Sequence, residues 1–242
     1  MRPGRGLRDF LQPLLATPLH PQWLAHRLRR QRAHWLSARA AGRALDVGCA
    51  DRAAGAGLPG LSHYVGLDYP GTAIALYRTR PDVFADAARL PFSDGSFDCV
   101  LMLDVLEHVA EPEAALAEAG RVLNEGGQLL LTIPFAYPLH DLPHDFQRFA
   151  RPGLQRRIEA AGLMPAEIEE QGGGIEAAAL NLCLALSRGF LVAAGRRPVR
   201  CLLLSPLLAL VPVVNLAGWL FARLLPAPDF LPGAYFVRAV RR

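Results

Sequence analysis

Between Arg43 and Gln171 short apolar runs alternate with stretches of helical spacing, and each of the first four runs closes on or beside an aspartate. Ala44–Val47, Tyr64–Asp68, Asp82–Asp86, Phe97–Leu103, Gln128–Ile133 and Met164–Glu170 predict strands, with Ala234–Val240 as a last one. Gly71–Arg78, Pro112–Leu123 and Pro152–Ala161 predict the intervening helices, stopped by Asn124-Glu125-Gly126-Gly127 and by Gly162. A run as apolar as Phe97–Leu103 needs cover on both faces. This alternation therefore restricts the chain to an α/β fold with a mostly parallel sheet.

In such a sheet, ligands gather beyond the carboxyl ends of the strands. Gly48 follows Asp46-Val47 there, and lets backbone approach a ligand closely at a turn into a helix. Asp68, twenty residues on, can take both hydroxyls of a ribose. Asp86, closing the third run, can accept from an adenine amino group. A glycine turn with a downstream acid is common to nicotinamide, flavin and S-adenosylmethionine proteins. Residues 48–53 read GCADRA, without the G-x-G-x-x-G glycines, which argues against a nicotinamide oxidoreductase.

The ordered segments LDVGCA, VGLD, ADAARLPFSDGSFDCVLMLDVLEHV and RVLNEGGQLLLTIPF resemble the class I S-adenosylmethionine-dependent methyltransferases, in particular the type 11 branch acting on small molecules and lipids. The resemblance covers about residues 40–170 plus the last strand. It implies a Rossmann-like seven-stranded sheet of order 3-2-1-4-5-7-6 with the last strand antiparallel. It also implies S-adenosyl-L-methionine as cofactor. The turn of Gly48, Cys49 and Ala50, supported by Asp46, would then meet the methionine part. Asp68 and Tyr69 would meet the ribose, Asp86 and Ala87 the adenine, and Leu103 and Asp104 the sulfonium end. Ala50 stands where the family usually has glycine. If that position needs a left-handed backbone, cofactor affinity falls.

After the fifth run, Thr132–Phe149 reads TIPFAYPLHDLPHDFQRF and is dense in titratable and aromatic groups. An oxygen acceptor benefits from a base that titrates near neutrality, which points to His140 or His144, with Asp145 as orienter or alternate base. His108, Tyr137 and Arg148 are the expected substrate contacts, Arg148 for an anionic group. The other reading of His144, Asp145 and Arg148 is a network that fixes the loop. The pattern also resembles a subset of these methyltransferases found with cell-surface glycan and lipid genes. No metal site is expected: Cys49, Cys99, Cys183 and Cys201 lie far apart and read as buried small apolar residues of a reducing compartment.

The net charge of +4 conceals an asymmetry. Residues 1–43 carry +8, residues 44–173 carry −10 and residues 174–242 carry +6, every basic residue being arginine. Basic flanks suit an anionic membrane surface. The acidic middle, with LDVL where nucleic-acid methyltransferases carry N/D-P-P-Y/F, argues against nucleic acid. The expected divisions are a basic arm and helix (1–42, with Trp23–Ala41 helical), a cofactor domain (43–171 plus 234–242), and an apolar helical insertion (172–233). Cys201–Ala222 carries no charge over a length that could span a bilayer. Residues 234–240 return to the sheet, so a single crossing is impossible. Two crossings would need Ile175–Gly195, which contains Arg188, and would put Arg196, Arg197 and Arg200 on the far side. A monotopic or re-entrant attachment at the cytoplasmic membrane face is therefore preferred over a soluble cap, a homodimer surface or a two-span hairpin.

The sequence thus points to methyl transfer onto a small-molecule, lipid or lipid-linked glycan acceptor. The competing reading is a catalytically inactive methyltransferase-like module serving as a membrane-associated assembly factor, supported by Ala50.

Overall fold

A computed structural model describes residues 12–196, 205–225 and 230–242. The chain divides into two compact units. The larger comprises Arg32–Phe135, Leu139–Glu170 and Ala234–Arg242; the smaller includes the described residues up to Gln31, Ala136–Pro138 and Gln171–Gly233.

In the larger unit seven strands form one sheet: β1 (Gly42–Val47), β2 (Leu61–Asp68), β3 (Val83–Phe84), β4 (Phe97–Leu103), β5 (Leu123–Pro134), β6 (Leu163–Gln171, its last residue in the smaller unit) and β7 (Ala234–Arg241). Their order is 3-2-1-4-5-7-6. β1 pairs in parallel with β2 and β4, and β4 with β5, while β7 runs antiparallel to β5. This is the expected Rossmann-like arrangement. Leu45, Val47, Val100, Met102, Leu129 and Leu131 are buried in the core on which Leu116, Leu154 and Ile158 also pack.

Helix α1 (Trp23–Ser37) ends four residues before the expected Ala41, because Gly42 at φ +76° turns the chain into β1. Its C-terminal part packs on the sheet: Trp35 lies 5.4 Å from Phe236, ring to ring, and donates from Nε1 to Glu169 Oε1 at 3.1 Å. Helix α2 runs over Pro70–Thr72 and widens through Ala73–Tyr77. α3 (Pro112–Val122) and α4 (Arg151–Ala160) follow β4 and β5. Three local expectations are corrected. β3 shrinks to two residues, leaving Asp86 beyond it in a lone bridge to Arg89. β5 begins at Leu123, with the Asn124–Gly127 segment as an irregularity in the ladder to β4. No helix follows the Gly48 turn: residues 51–60 form a chain of turns, too short and too rich in glycine and proline to wind one.

In the smaller unit, α5 (Gly174–Arg196) and α6 (Leu210–Leu224, entered through the 3-10 turn Ser205–Ala209) form the insertion before β7. Gly218 lets α6 close on α5, where a Cβ would collide with that of Ala179. Asn215, the polar interruption of the apolar run, is fully buried and satisfied. Its Nδ2 donates to the carbonyls of Pro18 at 2.8 Å and His20 at 3.0 Å, and Cys183 Sγ lies 3.5 Å from its Oδ1. Trp23, Leu24, Ala179 and Leu180 form this unit's own core. Cys49, Cys99 and Cys183 are buried free thiols; Cys201 and the expected loop arginines Arg197 and Arg200 lie outside the described residues.

Candidate active site

The carboxyl ends of β1, β2 and β4 bring Asp46, Asp68 and Asp104 to one edge of the sheet. Asp46 is buried and accepts from the Tyr64 hydroxyl at 2.7 Å. Desolvation raises its pKa to about 7, only partly offset by the Tyr64 hydrogen bond and the charges of Arg32 and Arg52. Gly48 is left-handed at φ +73°, and a Cβ there would strike Val105. Ala50 is also left-handed, at φ +44°, which confirms that this position favours glycine.

The Gly48 turn spends its N–H groups on the protein rather than pointing them outward. Those of Gly48 and Cys49 donate to Leu67 O at 2.8 and 3.0 Å, and that of Ala50 to Asp68 Oδ2 at 2.9 Å. Asp68 also accepts from Tyr69 N–H at 2.7 Å and Thr72 Oγ1 at 3.1 Å. A carboxylate offers about four lone-pair positions. Asp68 therefore has room for one more donor, and holding both ribose hydroxyls requires release of Ala50 or Thr72. Asp86 is exposed, and its Oδ1 caps its own turn through Ala88 N–H at 2.9 Å. Ala87 is half-buried, while Tyr69 and Phe84 are exposed beside these acids and offer apolar faces to a planar ring. The donor set suits a cationic sulfonium nucleoside: carboxylates around the edge, aromatic faces for the base, and one open acceptor position on Asp68.

At the end of β4, Asp104 sits at φ +57° after half-buried Leu103. Its Oδ1 accepts from Thr132 Oγ1 at 2.9 Å and its Oδ2 pairs with Arg32 of α1. The 3-10 turn Leu106–His108 follows. The loop after β5 is sewn onto this turn. Phe146 N–H donates to Glu107 O at 3.0 Å, Gln147 Nε2 to Val109 O at 2.9 Å, and His108 Nδ1 to His144 O at 3.0 Å. Tyr77 donates to Asp141 Oδ2 at 2.6 Å.

These contacts gather His108, His140, Asp145 and Arg148. The two Nε2 atoms of His108 and His140 lie 3.1 Å apart. Asp145, its carboxylate sealed from solvent, takes Arg148 at 2.5 and 3.0 Å, His140 N–H at 2.9 Å and approaches His140 Nδ1 at 3.3 Å. Burial pushes its pKa up, but these donors outweigh that and hold it at about 2. Arg148 is thus engaged with Asp145 rather than open to a substrate anion. His144 adds its carbonyl to the cluster; its ring packs edge-on to Phe146. Tyr137 belongs to the smaller unit, against the Trp23–Leu180 core and with Gln22 Nε2 3.5 Å from its hydroxyl.

Two residues went unread in the sequence. Arg32 lies in a helix rich in arginine and has no local signal. Glu107 is fully buried with no hydrogen-bond partner for either oxygen, and desolvation raises its pKa well above the ordinary value. Its signal was a Glu-His pair directly after a strand end facing a histidine-rich loop.

Residues 45–131 match the type 11 family model, described as a methyltransferase domain. A ubiquinone biosynthesis O-methyltransferase of Aromatoleum aromaticum is 28% identical over 179 residues, covering 59% of this chain and 74% of that one. A demethylmenaquinone methyltransferase of a Mycobacterium species is 32% identical over 130 residues, covering 41% of this chain and 56% of that one. The chain spans between 27% and 56% of the length of several curated relatives it matches. Among solved structures, a possible histamine N-methyltransferase of Thermotoga maritima superposes with a TM-score of 0.55 at 16% identity, covering 91% of this chain and 93% of that one. At that identity the likeness is one of fold.

Proposed function

We propose that this chain, which belongs to the class I S-adenosylmethionine-dependent methyltransferases of the type 11 branch, transfers the cofactor's methyl group to a hydroxyl oxygen of an apolar small-molecule or lipid-linked acceptor at the cytoplasmic membrane face. The observation that carries the reading is the junction at the end of β4. There the acids suited to a sulfonium cofactor adjoin an imidazole pair, His140 held by Asp145 and His108 by the His144 carbonyl.

Asp68, Tyr69, Asp86 and Ala87 would hold the nucleoside, and the Gly48–Ala50 turn with Leu103 and Asp104 the methionine and sulfonium end. When bound, the cofactor supplies a methyl group on a positively charged sulfur, so the oxygen–carbon bond forms as the carbon–sulfur bond breaks and sulfur keeps the electron pair. The residues must then position the acceptor and take its proton. Asp145 holds His140 through its backbone N–H and stands 3.3 Å from Nδ1, which leaves Nε2 as the nitrogen assigned to receive the hydroxyl proton. Arg148 holds Asp145 ionised and in place. The quinone-linked names of two relatives favour an apolar, ring-bearing acceptor.

Membrane attachment is supported by the insertion. α5 and the Ser205–Leu224 segment are long and apolar enough to cross a bilayer by length and composition. Val213, Leu216, Leu220 and Leu224 recur on one face of α6 and are exposed, opposite buried Val211, Asn215 and Gly218. Arg188 is exposed in the middle of α5, which favours a helix lying at the interface over one crossing it. Ala50 takes up the left-handed backbone itself, at a cost of about 1–2 kcal/mol, which weakens cofactor binding without abolishing it.

The test is methyl transfer from isotopically labelled S-adenosylmethionine to quinone precursors and membrane extracts, with flotation on anionic vesicles. Label in an extractable apolar product and co-flotation are expected. Cofactor binding without transfer to any hydroxyl-bearing extract component would overturn the assigned acceptor class.

A further inference from the structure

The Glu107 carboxylate is the strongest anomaly among the described residues. It is fully buried, neither oxygen has a hydrogen-bond partner, and it faces two imidazoles. An unpaired buried carboxylate is costly and persists only where something compensates it.

One of the two imidazoles has a defined tautomer. His108 Nδ1 meets a backbone carbonyl, which can only accept, so that nitrogen carries the hydrogen. His140 Nδ1 lies 3.3 Å from the Asp145 carboxylate, an acceptor, and 3.5 Å from Arg148 Nη2, a donor. In its neutral ring His108 Nε2 therefore presents a lone pair, and His140 Nε2 stands 3.1 Å from it. A proton or a cation can bridge the two nitrogens, and the unpaired Glu107 carboxylate beside them favours a cation. Glu107 Oε1 lies 3.6 Å from one of these nitrogens and 3.9 Å from the other.

Sides of 3.1, 3.6 and 3.9 Å define a triangle whose centre is about 2.1 Å from each corner, the bond length of a divalent ion to imidazole nitrogen or carboxylate oxygen. The Nδ1 contacts are those that orient metal-bound histidines, one to a carboxylate and one to a backbone carbonyl.

We propose that Glu107, His108 and His140 bind a divalent first-row transition-metal ion, with Asp145 and the His144 carbonyl as positioning groups. Two nitrogens and one oxygen select ions such as Zn²⁺, Co²⁺ or Mn²⁺ and leave coordination positions open. The set replaces the expectation of a metal-free site. It also accounts for the Glu-His sequence after β4 and for a loop sewn onto it by three separate hydrogen bonds.

The site stands on its own geometry; its role rests on the methyl-transfer reading above. An ion here takes the acceptor's hydroxyl oxygen at an open position and lowers its pKa. The proton then passes to solvent rather than to His140, and the oxygen pair attacks the methyl carbon as before.

The experiment is titration of the metal-stripped full chain with Co²⁺ alone, followed by the visible d–d bands, with metal content counted after dialysis. One equivalent is expected to bind. Glu107→Gln and His140→Ala are each expected to weaken binding at least tenfold, and Asp145→Asn, which keeps all three ligands but alters the carboxylate that holds His140 and Arg148, by about 10–100-fold. Circular dichroism checks that each variant is folded. No Co²⁺ binding by the folded parent overturns the site, as does binding that survives both ligand variants. S-adenosylhomocysteine is titrated into the same samples. Cofactor binding without metal overturns the metal site alone, and metal binding without cofactor overturns the methyl-transfer reading alone.

Discussion

Replacing Asp46 by asparagine removes a buried charge while keeping an acceptor for the Tyr64 hydroxyl. The folded carboxyl titrates at about 7 against an ordinary value of 3.8. Between those values the folded chain holds a proton that the unfolded chain releases. The sign follows: Asp46 contributes stability that is complete below about pH 4 and is lost as pH rises to about 7. The slope reaches about 1.4 kcal/mol per pH unit and the total is at most about 4 kcal/mol. The groups facing this carboxylate are Tyr64, Arg32, Asp68 and Arg52. Asp46→Asn should therefore be more stable than the parent by about 2–4 kcal/mol at pH 8, with the gap narrowing to about 1 kcal/mol at pH 5. Urea unfolding followed by circular dichroism at both pH values, compared through midpoints at constant slope, measures it. An asparagine variant less stable than the parent at pH 8 would refute the reasoning. It would mean that Arg32 and Arg52 compensate the ionised carboxylate more than burial penalises it.

Three further substitutions test separate parts of the structure. Arg148→Met leaves the sealed Asp145 carboxylate without its partner and should cost about 3 kcal/mol in unfolding free energy. An unchanged urea midpoint would count against that pairing. Ala50→Gly relieves a left-handed alanine and should raise stability by up to about 1 kcal/mol, with tighter S-adenosylhomocysteine binding in calorimetry. Gly218→Leu puts a side chain where α6 closes on Ala179 of α5 and should cost about 1–3 kcal/mol, read as faster proteolysis of the insertion.

The sheet was legible because its strands are buried on both faces and leave continuous apolar runs bounded by glycine and acids. β3 was overestimated because Asp82 and Asp86 flank only two ladder residues; both serve local hydrogen bonds, Asp82 to Gly66 N–H and Asp86 to Ala88 N–H. The helix end at Ser37 was hidden because alanine-rich 38–41 carries no stop signal, and only the left-handed Gly42 fixes it. The cofactor acids could be placed from their positions at strand ends. Their engagement could not, since the three hydrogen bonds that Asp68 takes from Ala50, Tyr69 and Thr72 depend on how the Gly48 turn folds back. His140 and Asp145 were identified as reactive types in one loop. Glu107 escaped because its character comes from burial and from the His140 imidazole brought to it by a separate loop; the adjacent His108 alone does not mark it.

The most direct test of the central claim is calorimetric titration of the purified chain with S-adenosylhomocysteine. Binding of one equivalent at micromolar affinity, weakened when Asp68 is replaced by alanine in a variant that remains folded, is the expected result. Absence of binding by the folded parent would contradict the assignment of the strand-end acids to a sulfonium nucleoside, and with it the proposed methyl transfer.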